Sequence, residues 1–126
     1  MTRYLTAAEI KTINSRILGS LQLRDINALE SAVARPKHSA FGADAYRDLF
    51  HKAGALMESL IQNHPFVGGN KRTGFVAVAM FLALNGYWLE AKQNDVVEFV
   101  LGVASSKYTI SQIASWLRNH SKNTLL

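Results

Sequence analysis

Residues 49–84 read LFHKAGALMESLIQNHPFVGGNKRTGFVAVAMFLAL. Apolar side chains recur at Leu49, Phe50, Ala53, Met57, Leu60 and Ile61, with Tyr46 leading in; this is the three-to-four spacing of one helix face. Asp44 is the expected cap at its start. Extending the stripe by three reaches His64, which is predicted to end the helix facing inward. Pro65, Gly68 and Gly69 then break the chain. A second helix is predicted from Asn70 or a neighbour to Asn85, stopped by Gly86. Its Phe75, Val76, Val78, Met80, Phe81, Leu82 and Leu84 cover all sides, so it is expected to be the buried central helix.

Working outward, helix again dominates. Thr6 and Glu9 form a Thr-x-x-Glu capping box, followed by Ile10, Ile13, Ile17 and Leu21 on one face. Asp25 is placed to cap a shorter helix bearing Leu29, Ala32 and Val33, which Pro36 ends. Residues 35–43 have no helical period and hold both proline and glycine, the pattern of a loop or short hairpin. Tyr87-Trp88-Leu89 reads as a packed connector. Asn94 and Asp95 open a fifth helix with Val96, Val97, Val100, Leu101 and Ala104. Thr109 or Ser111 opens a sixth with Ile110, Ile113, Trp116 and Leu117. No alternating run is long enough to argue for a sheet. The predicted fold is all-α, a compact bundle of about six helices with a short flap loop before the third, in a single domain over 1–126.

Composition narrows the classes of function. The chain has 126 residues, a formal net charge of +5 and no cysteine. The charge favours acidic partners such as nucleotides, nucleic acid or an acidic protein. The absence of cysteine excludes disulfides, thiol catalysis and thiolate-bound zinc. There is no apolar signal core at the N-terminus, and the longest apolar stretch, Phe75 to Leu84, is too short to span a bilayer. A cytoplasmic protein without a membrane partner is expected. His38, His51 and His120 show no metal-ligand spacing. Trp88 and Trp116 read as packing residues. The last two helices carry too little basic character for a recognition helix, so no direct DNA binding is expected.

The chemistry concentrates at the break between the two helices quoted first. A helix N-terminus leaves N–H groups free and carries about half a positive charge, so it attracts anions. Gly68 and Gly69 clear side chains from the path of a phosphate. Asn70 adds an amide, Lys71 a point charge and Arg72 a forked donor. His64 stands just before them, placed to take a proton from an attacking hydroxyl. Structural readings exist for each: a histidine satisfied in the core, a Gly-Gly tight turn. Lys71 and Arg72 nevertheless oppose the helix dipole, a conflict of the kind met at functional sites.

The run His64-Pro65-Phe66-x-x-Gly69-Asn70-Lys71-Arg72 resembles the signature of the Fic/Doc family in its death-on-curing (Doc) branch. Leu29-Glu30-Ser31-Ala32-Val33-Ala34-Arg35-Pro36, the Phe41-Gly42 loop and Asn85-Gly86-Tyr87 resemble Doc segments in their usual order, so the likeness covers most of the chain. The resemblance implies a helical bundle that transfers part of a nucleoside triphosphate to a target hydroxyl. The AMP-transferring branch has a glycine where this chain has Lys71 and an arginine where it has Phe75. Both departures point instead to the Doc type, a toxin that passes the γ-phosphate of ATP to a threonine of elongation factor Tu and halts translation. By this likeness His64 is the general base, Phe66 the anchor of the motif loop, and Gly68, Gly69, Asn70, Lys71 and Arg72 the phosphate-binding set. Lys71 and Arg72 also stabilise charge in transfer. Arg35, Lys37, Phe41 and Gly42 belong to a flap that aligns the target.

One departure bears on turnover. Members of the family carry an acidic magnesium ligand at the position of Gly68, and no carboxylate occurs between Glu58 and Glu90. Magnesium is therefore expected with ATP but without the usual protein ligand. The alternatives are a catalytically impaired nucleotide- or antitoxin-binding relative and, third, an AMP transferase. No Ser/Thr-x-x-x-Glu-Gly/Asn inhibitory motif occurs, which implies control by a separate antitoxin.

Overall fold

The computed structural model describes residues 1–124. Its order is α1 (Ala7–Leu18), α2 (Ile26–Ala34), a 3-10 turn (Arg35–Lys37), β1 (Ser39–Ala40), β2 (Ala43–Asp44), α3 (Leu49–Gln62), α4 (Asn70–Leu84), β3 (Tyr87–Leu89), α5 (Gln93–Ala104), α6 (Ile110–Asn119) and β4 (Ser121–Asn123). The six helices make the expected helical bundle. Among the described residues no helix is long and apolar enough to cross a membrane.

Local chemistry sets most helix starts. Thr6 and Glu9 form the reciprocal capping box of α1, and Thr109 with Gln112 repeats it at α6. Asp25 accepts from the N–H groups of Asn27 and Ala28 at α2. The third start differs from expectation. Asp48, not Asp44, caps α3 by accepting from the His51 N–H. Asp44 lies in β2 and its carboxylate meets Lys52 at 3.1 Å. Two aspartates four residues apart are equivalent to a pattern; only the packing of the hairpin selects the later one. Asn94 and Asp95 lie inside α5, which starts at Gln93 with no side-chain cap. Leu21 falls beyond α1, because Gly19 ends that helix in the left-handed conformation at φ 82°.

The central helix is α3 rather than α4, reversing the sequence expectation. Phe50, Ala53, Ala55, Leu56, Met57, Leu60 and Ile61 are all buried, and α1, α2, α4, α5 and α6 assemble around one continuous apolar core. The small residues of α3 let its neighbours approach. Across the other contact, a Cβ on Gly74 of α4 would come within 2.7 Å of Ile61 Cγ1, so the two helices meet closely there. By contrast α4 exposes Arg72, Val76 and Met80 along one side. Part of its all-round apolarity, at Phe75 and Val76, lines a groove described below.

Two short antiparallel strand pairs decorate the bundle: β1 with β2, and β3 with β4. The expected connector Tyr87-Trp88-Leu89 is therefore a strand, pairing with Ser121–Asn123. Strands of two or three residues are too short to leave an alternating pattern. Trp88 is 58% exposed, not packed. Trp116 is packed, its ring stacked 3.9 Å from both Phe99 and His120.

Candidate active site

Residues 63–69 carry the chain from α3 to α4 and place the motif. Asn63 is the C-cap of α3. His64 follows at φ 48°, a left-handed conformation that is uncommon outside glycine. That reversal swings it off the apolar stripe. His64 is exposed, so the expectation of an inward-facing side chain is corrected; the helix ends before the stripe reaches it. Phe66 is 1% exposed and anchors the loop in the core, as expected. Its N–H donates to Asn70 Oδ1 at 3.0 Å, and Asn70 Nδ2 donates to the Phe66 carbonyl at 2.9 Å. Both polar atoms of the Asn70 carboxamide thus close the loop on itself. These bonds fix the Asn70 side chain against the loop and use one of the two N–H donors of its amide.

The start of α4 is chemically unlike the starts of α1, α2, α3 and α6. Gly69 is its N-cap at φ 71°, with no side-chain hydrogen bond. A Cβ on Gly69 would lie 3.2–3.3 Å from Leu18 carbons, so glycine is required by both conformation and space. The helix closes its first turn with the Thr73 N–H to the Gly69 carbonyl at 2.8 Å, leaving the N–H groups of Asn70, Lys71 and Arg72 without helical acceptors. Lys71 and Arg72 are exposed. Among the described residues neither forms an ion pair. Exposed His64, open N–H groups and two unpaired cations therefore lie within nine residues of sequence. Such a set can bind an anionic oxygen and hold a base beside it.

A groove opens next to the cations. Its volume is about 340 Å³, and Lys71 and Arg72 line it together with Phe75, Val76, Val96, Val97, Val100 and Leu101 from α4 and α5. The walls are apolar and the charge is at one end.

The model of the Fic/DOC family matches residues 4–82. The chain belongs to the Fic/DOC family. It is also similar to Toxin Doc of Mycolicibacterium smegmatis (strain ATCC 700084 / mc(2)155), with 46% identity over 92 residues, 72% of this chain and 71% of that protein. The matched residues include the flap and the whole motif loop, while α5 and α6 lie beyond the family match.

The flap residues divide into two groups. Phe41 and Gly42 form the tip of the β1–β2 hairpin, both at positive φ (53° and 78°), the geometry that tight two-residue hairpins favour. Phe41 is wholly exposed. Arg35 sits underneath instead. It donates to Tyr46 Oη, Glu58 Oε1 and Ser59 Oγ, each at 2.9 Å. Burial opposes its charge, but the bonds to Tyr46 and Glu58 outweigh that, and its pKa is raised. Arg35 is thus a clamp tying the hairpin's base to α3, while exposed Lys37 lies 5.7 Å over the Tyr4 ring. Buried Lys52 reinforces the clamp through Asp44 and the Tyr46 carbonyl.

The family resemblance implies magnesium at position 68, and the residues present do not fit it. Gly68 offers no side chain, and its carbonyl already accepts from Asn14 Nδ2 at 3.1 Å. Glu58 is held by Arg35. Among the described residues no group of three His, Asp or Glu side chains converges.

The sequence did not point to the segment that braces the loop. Residues 22–25, between α1 and α2, run alongside 63–67. Leu23 bridges Phe66, the N–H groups of Arg24 and Asp25 donate to the Pro65 carbonyl, and the Val67 N–H donates to the Gln22 carbonyl. Buried Asn14 links this segment to the loop and to α4, through the Gln22 N–H, the Gly68 carbonyl and Thr73 Oγ1. Only the buried position of a polar residue on the apolar face of α1 could have signalled it.

Proposed function

We propose that this protein is the toxin of a toxin–antitoxin pair and transfers the γ-phosphate of ATP to a threonine hydroxyl of elongation factor Tu. The observation that carries the reading is the pair Lys71 and Arg72, unpaired in the uncapped first turn of α4, with an exposed His64 in the loop that leads into it. In this scheme the N–H groups of that turn and the two cations hold the phosphates. The groove between α4 and α5 takes the nucleoside, its apolar walls meeting the base and its charged end meeting the phosphates. The hairpin aligns the target, with the threonine hydroxyl towards His64. The hydroxyl oxygen attacks the γ-phosphorus, His64 takes the hydroxyl proton, and the bond to the bridging oxygen breaks to release ADP. Lys71 and Arg72 offset the charge gathering on that oxygen and on the phosphoryl group, the main source of rate in such reactions. The relative named Toxin Doc supports the toxin assignment, and the lysine at position 71 supports γ- over α-phosphate transfer. An antitoxin partner follows from the same reading.

Incubation with elongation factor Tu, magnesium and ATP labelled at either the α or the γ position tests it. Label from γ is expected. Label from α would mean AMP transfer. No label would favour the second reading, a nucleotide- or antitoxin-binding relative, for which Gly68 is the specific observation. Gly68→Asp separates that case further. A Cβ there would meet nothing nearer than Leu18 Cδ1 at 4.0 Å, so the variant is expected to fold and to raise both rate and magnesium dependence. An unchanged rate would show that the missing carboxylate is not what limits the parent. Leu101→Glu, on the groove wall, is expected to weaken ATP binding by calorimetry; unaltered affinity would place the nucleoside elsewhere.

A further inference from the structure

The general base assigned to His64 needs a fixed direction, yet the residue stands exposed on a strained backbone at φ 48°. Such conformations persist only where surrounding structure over-determines them. The bonds that do so come from Arg24, forty residues earlier in the chain. Its Nε donates to the His64 carbonyl at 2.5 Å, and its Nη2 donates to the Asn63 carbonyl at 2.8 Å. One planar guanidinium therefore spans the two peptide carbonyls that flank the reversal. Its own N–H, with that of Asp25, holds the next carbonyl, Pro65. Three consecutive carbonyls are thus gripped by one short segment. The positive charge also sits at the C-terminal end of α3, where the helix dipole favours it.

We propose that Arg24 is a positioning residue for His64: it fixes the left-handed turn at residues 63–64 and so aims the imidazole at the phosphate-binding turn of α4. The inference rests on the reading of His64 as the base. Arg24 acts through the peptide carbonyls and needs no contact with nucleotide or target. Lysine is a partial substitute, because a single ammonium lacks the fork that serves two carbonyls at once.

The test uses the full chain with Arg24→Ala and Arg24→Lys, read by the NMR backbone shifts of His64 and by the kinetics of phosphate transfer. In Arg24→Ala the His64 shifts should lose their left-handed signature. The kcat should fall about 10- to 100-fold with the KM for ATP little changed, the pattern of a misaligned group rather than a lost binding contact. Arg24→Lys should be intermediate in both. The proposal is overturned if either variant folds with His64 shifts and kcat equal to the parent's. A raised KM with unchanged kcat would also overturn it, since Arg24 would then be binding nucleotide. If the parent transfers no phosphate, the proposed function fails on its own account, and the His64 shifts still decide the role of Arg24.

Discussion

The N-termini of α1 and α4 are the same structural problem solved in opposite ways. At α1, Thr6 and Glu9 satisfy the free N–H groups reciprocally, and an acidic residue sits in the first turn. At α4, glycine occupies the cap, no side chain bonds the free groups, and the first turn holds two cations. The first arrangement lowers the free energy of the isolated chain. The second raises it unless an anion arrives. Under the proposed function, the phosphates of ATP supply that anion.

The contrast can be broken at several points, with falling effect. His64→Ala should lower phosphate transfer by about 10²- to 10⁴-fold, the usual contribution of a general base, with the circular dichroism spectrum unchanged because the side chain is exposed. Retained transfer would remove His64 from the mechanism. Gly69→Ala should cost about 1–2 kcal/mol in denaturant unfolding, since a Cβ strains the left-handed cap and presses on Leu18. Stability equal to the parent's would show that the cap is not held as described. The last test compares signs. Thr6→Ala should destabilise by about 1 kcal/mol through loss of the capping box. Lys71→Ala should stabilise by about 0.3 kcal/mol while weakening ATP binding, because it removes a cation from the positive end of a helix. If both substitutions destabilise, the two helix ends are more alike than their chemistry suggests.

The flap and the motif loop differ in how far they could be read in advance. The hairpin option at residues 35–43 and the Gly-Gly break are local patterns, Phe66 as anchor is implied by the family resemblance, and each appears in the structure. The family resemblance places Arg35 in the flap. Its partners Glu58 and Ser59 lie on α3, and only packing reveals that it is a clamp. An inward His64 extrapolates helical period past the residue where the helix stops. Apolarity points to α4 as the central helix, yet α3, with its Lys52 and Ser59, is the helix that is buried. Apolar content does not distinguish a face packed in the core from one lining an open groove.

By itself the sequence determined the helical architecture, the capping at Thr6 and Asp25, and the gathering of His64, Lys71 and Arg72 around a glycine break. These follow from interactions that span a few residues, where spacing and side-chain type suffice. The tertiary structure alone decided that Asp48 rather than Asp44 starts α3 and that Arg24 and Asn14 brace the motif from another part of the chain. The bracing depends on which distant groups meet, and hydrogen bonds such as Arg24 to His64 and Asn14 to Thr73, 40 and 59 residues apart, leave no period for a sequence to show.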